Sequence, residues 1–169
     1  MKNHYRKVPA RYVPASLSRK DAAKQRAMLR LSRRSYKKGR YVARPKVASF
    51  RSKPSSHVDD ARRMYGVETV RPGAALAAKT GCSVGALRKI VRKGEGAYYS
   101  SGSRPNQTAR SWGIARLASA ITSGKAAAVD YSILEKGCDH AGKAFRMARR
   151  SVKKFKHGQS ATRKVRVLV

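Results

Sequence analysis

Acidic residues are scarce in this chain. Only 8 of its 169 residues are Asp or Glu, against 41 Lys or Arg, which leaves a formal charge of +33. A chain so unbalanced repels itself and needs a polyanion or an acidic protein surface to neutralise it. That argues against a small-molecule substrate. Cysteine is almost absent: Cys82 and Cys138 stand far apart and form no Cys-x-x-Cys pair. Two such residues make no disulfide framework, so a reducing compartment and a packing role for Cys82 are expected. No run of 18 apolar residues exists, which excludes a transmembrane helix. The basic start, Met1 to Leu17, lacks the apolar segment of a signal peptide; a transit peptide suits its charge, but the stretch is not evidently amphipathic. Hydrophobic residues make up 41% of the chain, yet many are Ala, which buries little area. A small core follows.

What is present is unevenly distributed. Residues 1–58 hold 18 basic residues and a single acid, Asp21, whereas residues 59–142 hold 13 basic and 7 acidic residues. Residues 143–169 hold 10 basic residues and no acid. The expected fold is mainly α, with a small helical core over about residues 60–138 and long, basic, partly extended N- and C-terminal arms. The expected divisions are an arm over 1–57 with one helix at about 19–38, a core domain over 58–138, and a basic helix and tail over 139–169. Pro9 and Pro14 oppose helix in the first arm, and such arms are expected to order only on a partner. Ser18 and Asp21 mark a helix start, Ala23, Ala27 and Leu31 its apolar spacing, and Gly39 its stop. Residues 40–57 read as a linker or extended wrap, followed by a short helix closed by Gly66.

Three segments carry candidate chemistry. Leu76 to Val91 has the pattern of a helix-turn-helix, with Gly81 at the turn, Ser83 as cap, and Leu87 with Ile90 or Val91 facing the core. In a DNA reader Val84, Gly85, Ala86, Arg88 and Lys89 would approach the groove, but three of these five lack hydrogen-bonding side chains, so base readout would be poor. The bland alternative is a packed helical hairpin. Lys93 to Arg104 reads as a Gly/Ser-rich loop after a helix ending at Gly94. Its freed N–H groups with Arg92, Lys93 and Arg104 suit an anion, and Tyr98 and Tyr99 suit base stacking or partner docking. The alternative there is a structural loop with buried tyrosines. A helix at about 140–157 sets Phe145, Ala148, Val152 and Phe155 on a narrow stripe, with Arg149, Arg150, Lys153, Lys154 and Lys156 elsewhere. Arg33, Arg34, Lys37 and Lys38 end the first helix in the same character. Trp112, Ile114, Leu117 and Ile121 complete the expected core with Leu87 and Ile90. The tail Val165 to Val169 alternates and suits strand addition to a neighbour.

Catalytic equipment is thin. Asp130 and Glu135 lack an evident catalytic setting, and His4, His57, His140 and His157 are scattered. Cys138-Asp139-His140 is tempting for a metal, but adjacent residues rarely point at one ion, and no second cluster completes a ligand set. No catalytic residue, metal or cofactor is expected, and the chain reads as a non-enzyme.

One long string carries a resemblance. Lys93-Gly-Glu-Gly-Ala-Tyr-Tyr-Ser-Ser-Gly-Ser-Arg-Pro-Asn-Gln-Thr108, then Ser111-Trp-Gly-Ile-Ala-Arg-Leu-Ala-Ser-Ala-Ile-Thr122 and Gly124-Lys-Ala-Ala-Ala-Val-Asp-Tyr131, resembles a family of small basic proteins from large double-stranded DNA viruses of algae and protists. Arg11-Tyr-Val-Pro14, Ser35-Tyr-Lys-Lys-Gly39, Val47 to Lys53 and Thr80-Gly-Cys-Ser83 extend the resemblance over about residues 11–138. The family is of uncharacterised function, so the resemblance implies a viral setting and no catalytic residues. Together with the charge it implies a virion structural protein. The expected role is a minor capsid (cement or scaffold) protein inside the shell, made in the host cytoplasm or virus factory. Its arms would link the major capsid protein and other minor capsid proteins, and would meet viral DNA or the inner face of the viral membrane. The alternative is a viral DNA-binding protein, more a non-specific genome condenser than a helix-turn-helix regulator.

Overall fold

In the computed structural model, which describes residues 5–159 and 161–168, the chain is mainly helical: eight α-helices and one two-stranded sheet among the described residues. It divides into two compact units. The first takes residues 5–53, 95–109 and 161–168; the second takes residues 54–94 and 110–159. His4 and Val169 lie outside the described residues.

In the first unit the segments expected to be free arms are folded. β1 (Tyr5–Pro9) pairs antiparallel with β2 (Lys164–Leu168), Val8 opposite Val165 and Arg6 opposite Val167. The tail therefore finds its strand partner within the chain. Val8, Tyr12, Val13, Leu17 and Val167 are buried, and withdrawing such side chains from water stabilises each by about 1.5–3 kcal/mol. That gain ties residues 5–9 to residues 164–168 within the first unit.

Helix α1 (Arg19–Tyr36) starts where Ser18 Oγ accepts the Asp21 N–H at 3.2 Å, satisfying one of the orphan donors of the first turn. Its end is a Schellman motif: the Arg40 N–H bonds Ser35 O and the Gly39 N–H bonds Tyr36 O, both at 2.9 Å. Gly39, at φ +69°, takes the left-handed position this closure requires. The buried face differs from the expected one. Asp21, Gln25, Leu29 and Ser32 point inward, whereas Leu31 is 55% exposed and Ala23 and Ala27 are exposed. The first unit buries polar side chains against backbone carbonyls, so hydropathy spacing selects the wrong stripe.

The second unit holds the apolar core. Helices α2 (Ser56–Tyr65), α3 (Ala74–Thr80), the first part of α4 (Val84–Ser100), α5 (Ala109–Ile121), α6 (Lys125–Val129), α7 (Tyr131–Gly137) and α8 (Lys143–Lys154) supply it. Leu87, Ile90, Leu117, Ile121 and Leu134 are fully buried, while Trp112 and Ile114 are only half-buried. Helix α4 does not stop at Gly94 but runs on through Gly96 to Ser100. Gly94 is there for packing: a Cβ on it would sit 2.6 Å from the Gly113 Cα and 3.2 Å from the Arg116 Cβ. The glycine permits close approach to α5, and that outweighs its poor helix propensity. The stretch from Lys125 to Gly137 forms two helices, α6 and α7, separated at Asp130.

The two cysteines are bonded. Cys82, in the α3–α4 turn, and Cys138, just after α7, form a disulfide. They face each other in an isolated antiparallel bridge, flanked by the Ser83 N–H to Gly137 O and Asp139 N–H to Gly81 O bonds, each 2.7 Å. The expectation of unpaired, merely packing thiols is thus corrected. Fifty-six positions separate them, a distance that only the folding of α7 back to the hairpin closes.

Candidate polyanion interface

In the first unit, Arg34, Lys37 and Lys38 are exposed around the C-terminal turn of α1, as is Arg40 beyond it. Their charge offsets the negative end of the α1 dipole, and only Asp21 among residues 1–58 is acidic. Arg33 differs: its Nη1 donates to Ser100 O at 3.2 Å, and its Nε is buried without a hydrogen-bond acceptor. Arg6 reaches the same carbonyl at 3.4 Å and Ser101 O at 2.9 Å. Burial lowers the Arg6 pKa, and the like charge of Arg33 lowers it further. Arg104 is exposed.

Behind them lies Arg44, which the sequence reading missed. It is 9% exposed and has no carboxylate partner among the described residues. Its guanidinium donates to Ser32 Oγ (3.0 Å), Tyr98 O (2.8 Å) and Ser103 Oγ (2.7 Å), and its centre lies 3.7 Å from the centroid of the Tyr98 ring. Desolvation lowers the pKa of this guanidinium, and the tyrosines around it act in the opposite direction. Weak hydration and a planar donor fork make arginine the cation best suited to such burial.

These contacts change the reading of the expected Gly-rich loop. Residues 94–100 are helical, so their N–H groups are spent within the helix and cannot cradle an anion. Tyr98 is 1% exposed and its hydroxyl accepts the Arg44 N–H at 3.0 Å, which removes it as a stacking residue. Tyr99 is half-buried, edge-on to Tyr41 with centroids 5.1 Å apart.

In the second unit, Arg88, Lys89 and Arg92 are exposed along α4. Lys93 is exposed too, but its ammonium lies 2.9 Å from Asp130. Asp130 is fully buried and takes Arg116 in a two-pronged pair, Nε to Oδ2 and Nη2 to Oδ1, both 2.7 Å. Lys93 is therefore part of an internal ion cluster. The helix-turn-helix geometry is present in α3 and α4, with Ser83 Oγ accepting the Ala86 N–H at 3.1 Å. Yet Ala86 is 7% exposed, and a Cβ on Gly137 would collide with its methyl group. The end of α7 thus covers part of the face a DNA reader would present. On α8, Ala144, Phe145, Met147, Ala148, Ser151 and Val152 are buried, while Arg146, Arg149, Arg150, Lys153 and Lys154 are exposed, as is Lys156 after the helix.

His140 stacks on Phe145 at 4.1 Å, and its Nε2 lies 2.8 Å from Glu135 O. Among the described residues, no group of three His, Cys, Asp or Glu is placed to hold a metal, and no helix is long and apolar enough to cross a membrane.

Comparison with known families matches residues 9–138 to "Family of unknown function (DUF5824)". The chain belongs to this family. The match covers α1 through α7 and stops before α8, so the cationic helix lies outside the family's shared region. No curated protein and no solved structure matches the chain.

Proposed function

We propose that this chain is a virion structural protein, a minor capsid or cement component on the inner side of a large double-stranded DNA virus shell. It would act by laying folded cationic faces against polyanionic surfaces. The observation that carries this reading is the cationic side of α8: six exposed Lys and Arg, Lys143 with the five named above, over a packed apolar side, in a stretch, residues 143–169, that contains no acid. Packing accounts for the apolar side alone. The charge is left for a partner, since uncompensated cations cost solubility nothing but destabilise the compact state. The resemblance to small basic viral proteins supports the setting. The partners in this reading are acidic capsid surfaces, viral DNA and anionic headgroups of the inner membrane, with no catalysis and no cofactor. Linking proceeds through faces rather than extended arms, because both terminal segments are engaged in the β1–β2 pair.

A genome condenser is the second reading, favoured by the same helix: phosphate contacts by α8 need no base readout and weaken steeply with salt. The regulator reading is the weaker form of it, because Ala86 is covered.

Partition in gently opened virions tests the choice. Particles are treated with nuclease and washed at rising salt. Retention of the protein on DNA-free shells supports the cement role. Release with nuclease or moderate salt supports the condenser, and absence from particles overturns both.

A further inference from the structure

The first unit carries an aromatic cluster that no charge argument requires. The Schellman turn at Gly39 reverses the chain after α1 and brings Tyr41 back beside Tyr36, ring centroids 5.9 Å apart. Tyr41 also meets Tyr99 at 5.1 Å, and Tyr99 meets the buried Tyr98 at 5.0 Å, each pair edge-on. Edge-to-face contacts of this kind hold a ring in place. Tyr41 is nevertheless 69% exposed and Tyr36 37% exposed. A single exposed tyrosine needs no explanation. An anchored cluster among exposed Arg34, Lys37, Lys38 and Arg40 does, because a ring already held in place pays little entropy when a flat ligand stacks on it.

We propose that Tyr41, buttressed by Tyr36 and Tyr99, is a stacking platform for the bases of single-stranded nucleic acid, with the cations of the α1 turn holding its phosphates. The charge selects a polyanion. The aromatic rings select one with exposed flat faces, which a duplex hides and a single strand offers, without need of sequence. The inference rests on the polyanion-binding reading and adds the class of ligand.

The test uses the full chain and fluorescence anisotropy with four probes: oligothymidine, an abasic strand of equal length, a duplex, and polyglutamate. The wild type should prefer oligothymidine to the abasic strand. Tyr41→Ala should weaken oligothymidine binding roughly tenfold, leave abasic binding unchanged, and leave the circular dichroism unaltered; Tyr41→Trp should restore affinity. Equal losses on both single strands, or no loss on either, would overturn the platform while leaving charge-driven binding intact. A wild type that ignores all four probes would overturn the polyanion reading itself. Tighter binding of polyglutamate than of oligothymidine, lost in Tyr41→Ala, would overturn the platform in favour of an acidic protein partner.

Discussion

The second unit buries Leu76, Leu87, Ile90, Leu117, Ile121 and Leu134, whereas the first buries Gln25, Ser32, Arg44 and Ser103 among eight apolar side chains, Val8, Leu29 and Val47 included. Every member of the principal hydrophobic cluster belongs to the second unit. There, stability comes from area withdrawn from water, which is non-directional and tolerates small shifts. In the first unit apolar burial is joined by hydrogen bonds that must each be made. Gln25 Nε2 donates to Tyr12 O (3.0 Å), Ser32 Oγ to Tyr99 O (3.1 Å), and Asn106 Nδ2 to Phe50 O (2.8 Å). A buried polar group left unmatched costs about 1–3 kcal/mol, more than the same bond contributes when made. A unit built this way tolerates fewer substitutions than its neighbour in the same chain.

The contrast breaks first at the covalent and ionic ties of the second unit. Reducing Cys82–Cys138, or replacing both residues with Ser, should lower stability by up to about 4 kcal/mol, from the loop entropy released by a 56-residue separation. Hydrogen exchange should show the loss in α3, α4 and α7 with α1 unchanged, and equal loss in α1 would mean the units do not unfold separately. Arg116→Met comes next, at about 3 kcal/mol, because it strips the two-pronged partner from a fully buried carboxylate. Asp130→Asn should cost less, since Lys93, with a side chain 46% exposed, can turn back to water. Urea melts of the two variants give the order.

In the first unit Arg44→Met should cost about 2 kcal/mol. It strands the Tyr98 carbonyl and takes a donor from the Ser32 and Ser103 hydroxyls, which keep their own bonds to Tyr99 O and Arg104 O, while relieving the desolvation of the guanidinium. Exchange protection should fall in α1 and the β1–β2 pair, with α5 and α7 protected. A neutral result would mean that the two contributions cancel and that the network sets conformation rather than stability.

The same contrast explains what could be read from the sequence. The second unit follows ordinary rules: Ser83 caps α4, Gly66 and Gly81 close α2 and α3, and Leu117 and Ile121 lie on the inward stripe of α5. Its surprises are tertiary. Nothing local distinguishes a Gly94 that breaks a helix from one that lets Gly113 approach, and nothing in a 56-residue gap announces a disulfide. In the first unit the apolar period misleads. Ala23, Ala27 and Leu31 carry the spacing, but Gln25 and Ser32 carry the contacts. For the interface, composition identifies the exposed cations, but it cannot show that Lys93 turns to Asp130, or that of two adjacent tyrosines Tyr98 is buried. Tyr41 had one available signal, its place two residues after the Gly39 stop, where a Schellman turn folds the chain back on its helix.

The smallest effects separate the units by pH. Asp21 sits in the first unit, where hydrogen bonds from Ser49, including its N–H at 2.7 Å, hold the carboxyl below the usual aspartate range. A depressed pKa contributes stability that is present above the unfolded value, about 4, and is lost as the pH falls through the folded value. Tyr65 sits in the second unit, where burial raises the pKa of a phenol that donates to Ile121 O at 2.6 Å. A raised phenol pKa contributes stability that is full below the unfolded value, about 10, and declines as the pH rises beyond it, because only the unfolded chain then ionises freely. Asp21→Asn should therefore flatten the acid limb of the stability profile without touching the alkaline limb, and Tyr65→Phe should do the reverse. Denaturant melts at closely spaced pH values read both slopes. An acid limb unchanged in Asp21→Asn, or an alkaline limb unchanged in Tyr65→Phe, would mean that the group does not carry the slope assigned to it.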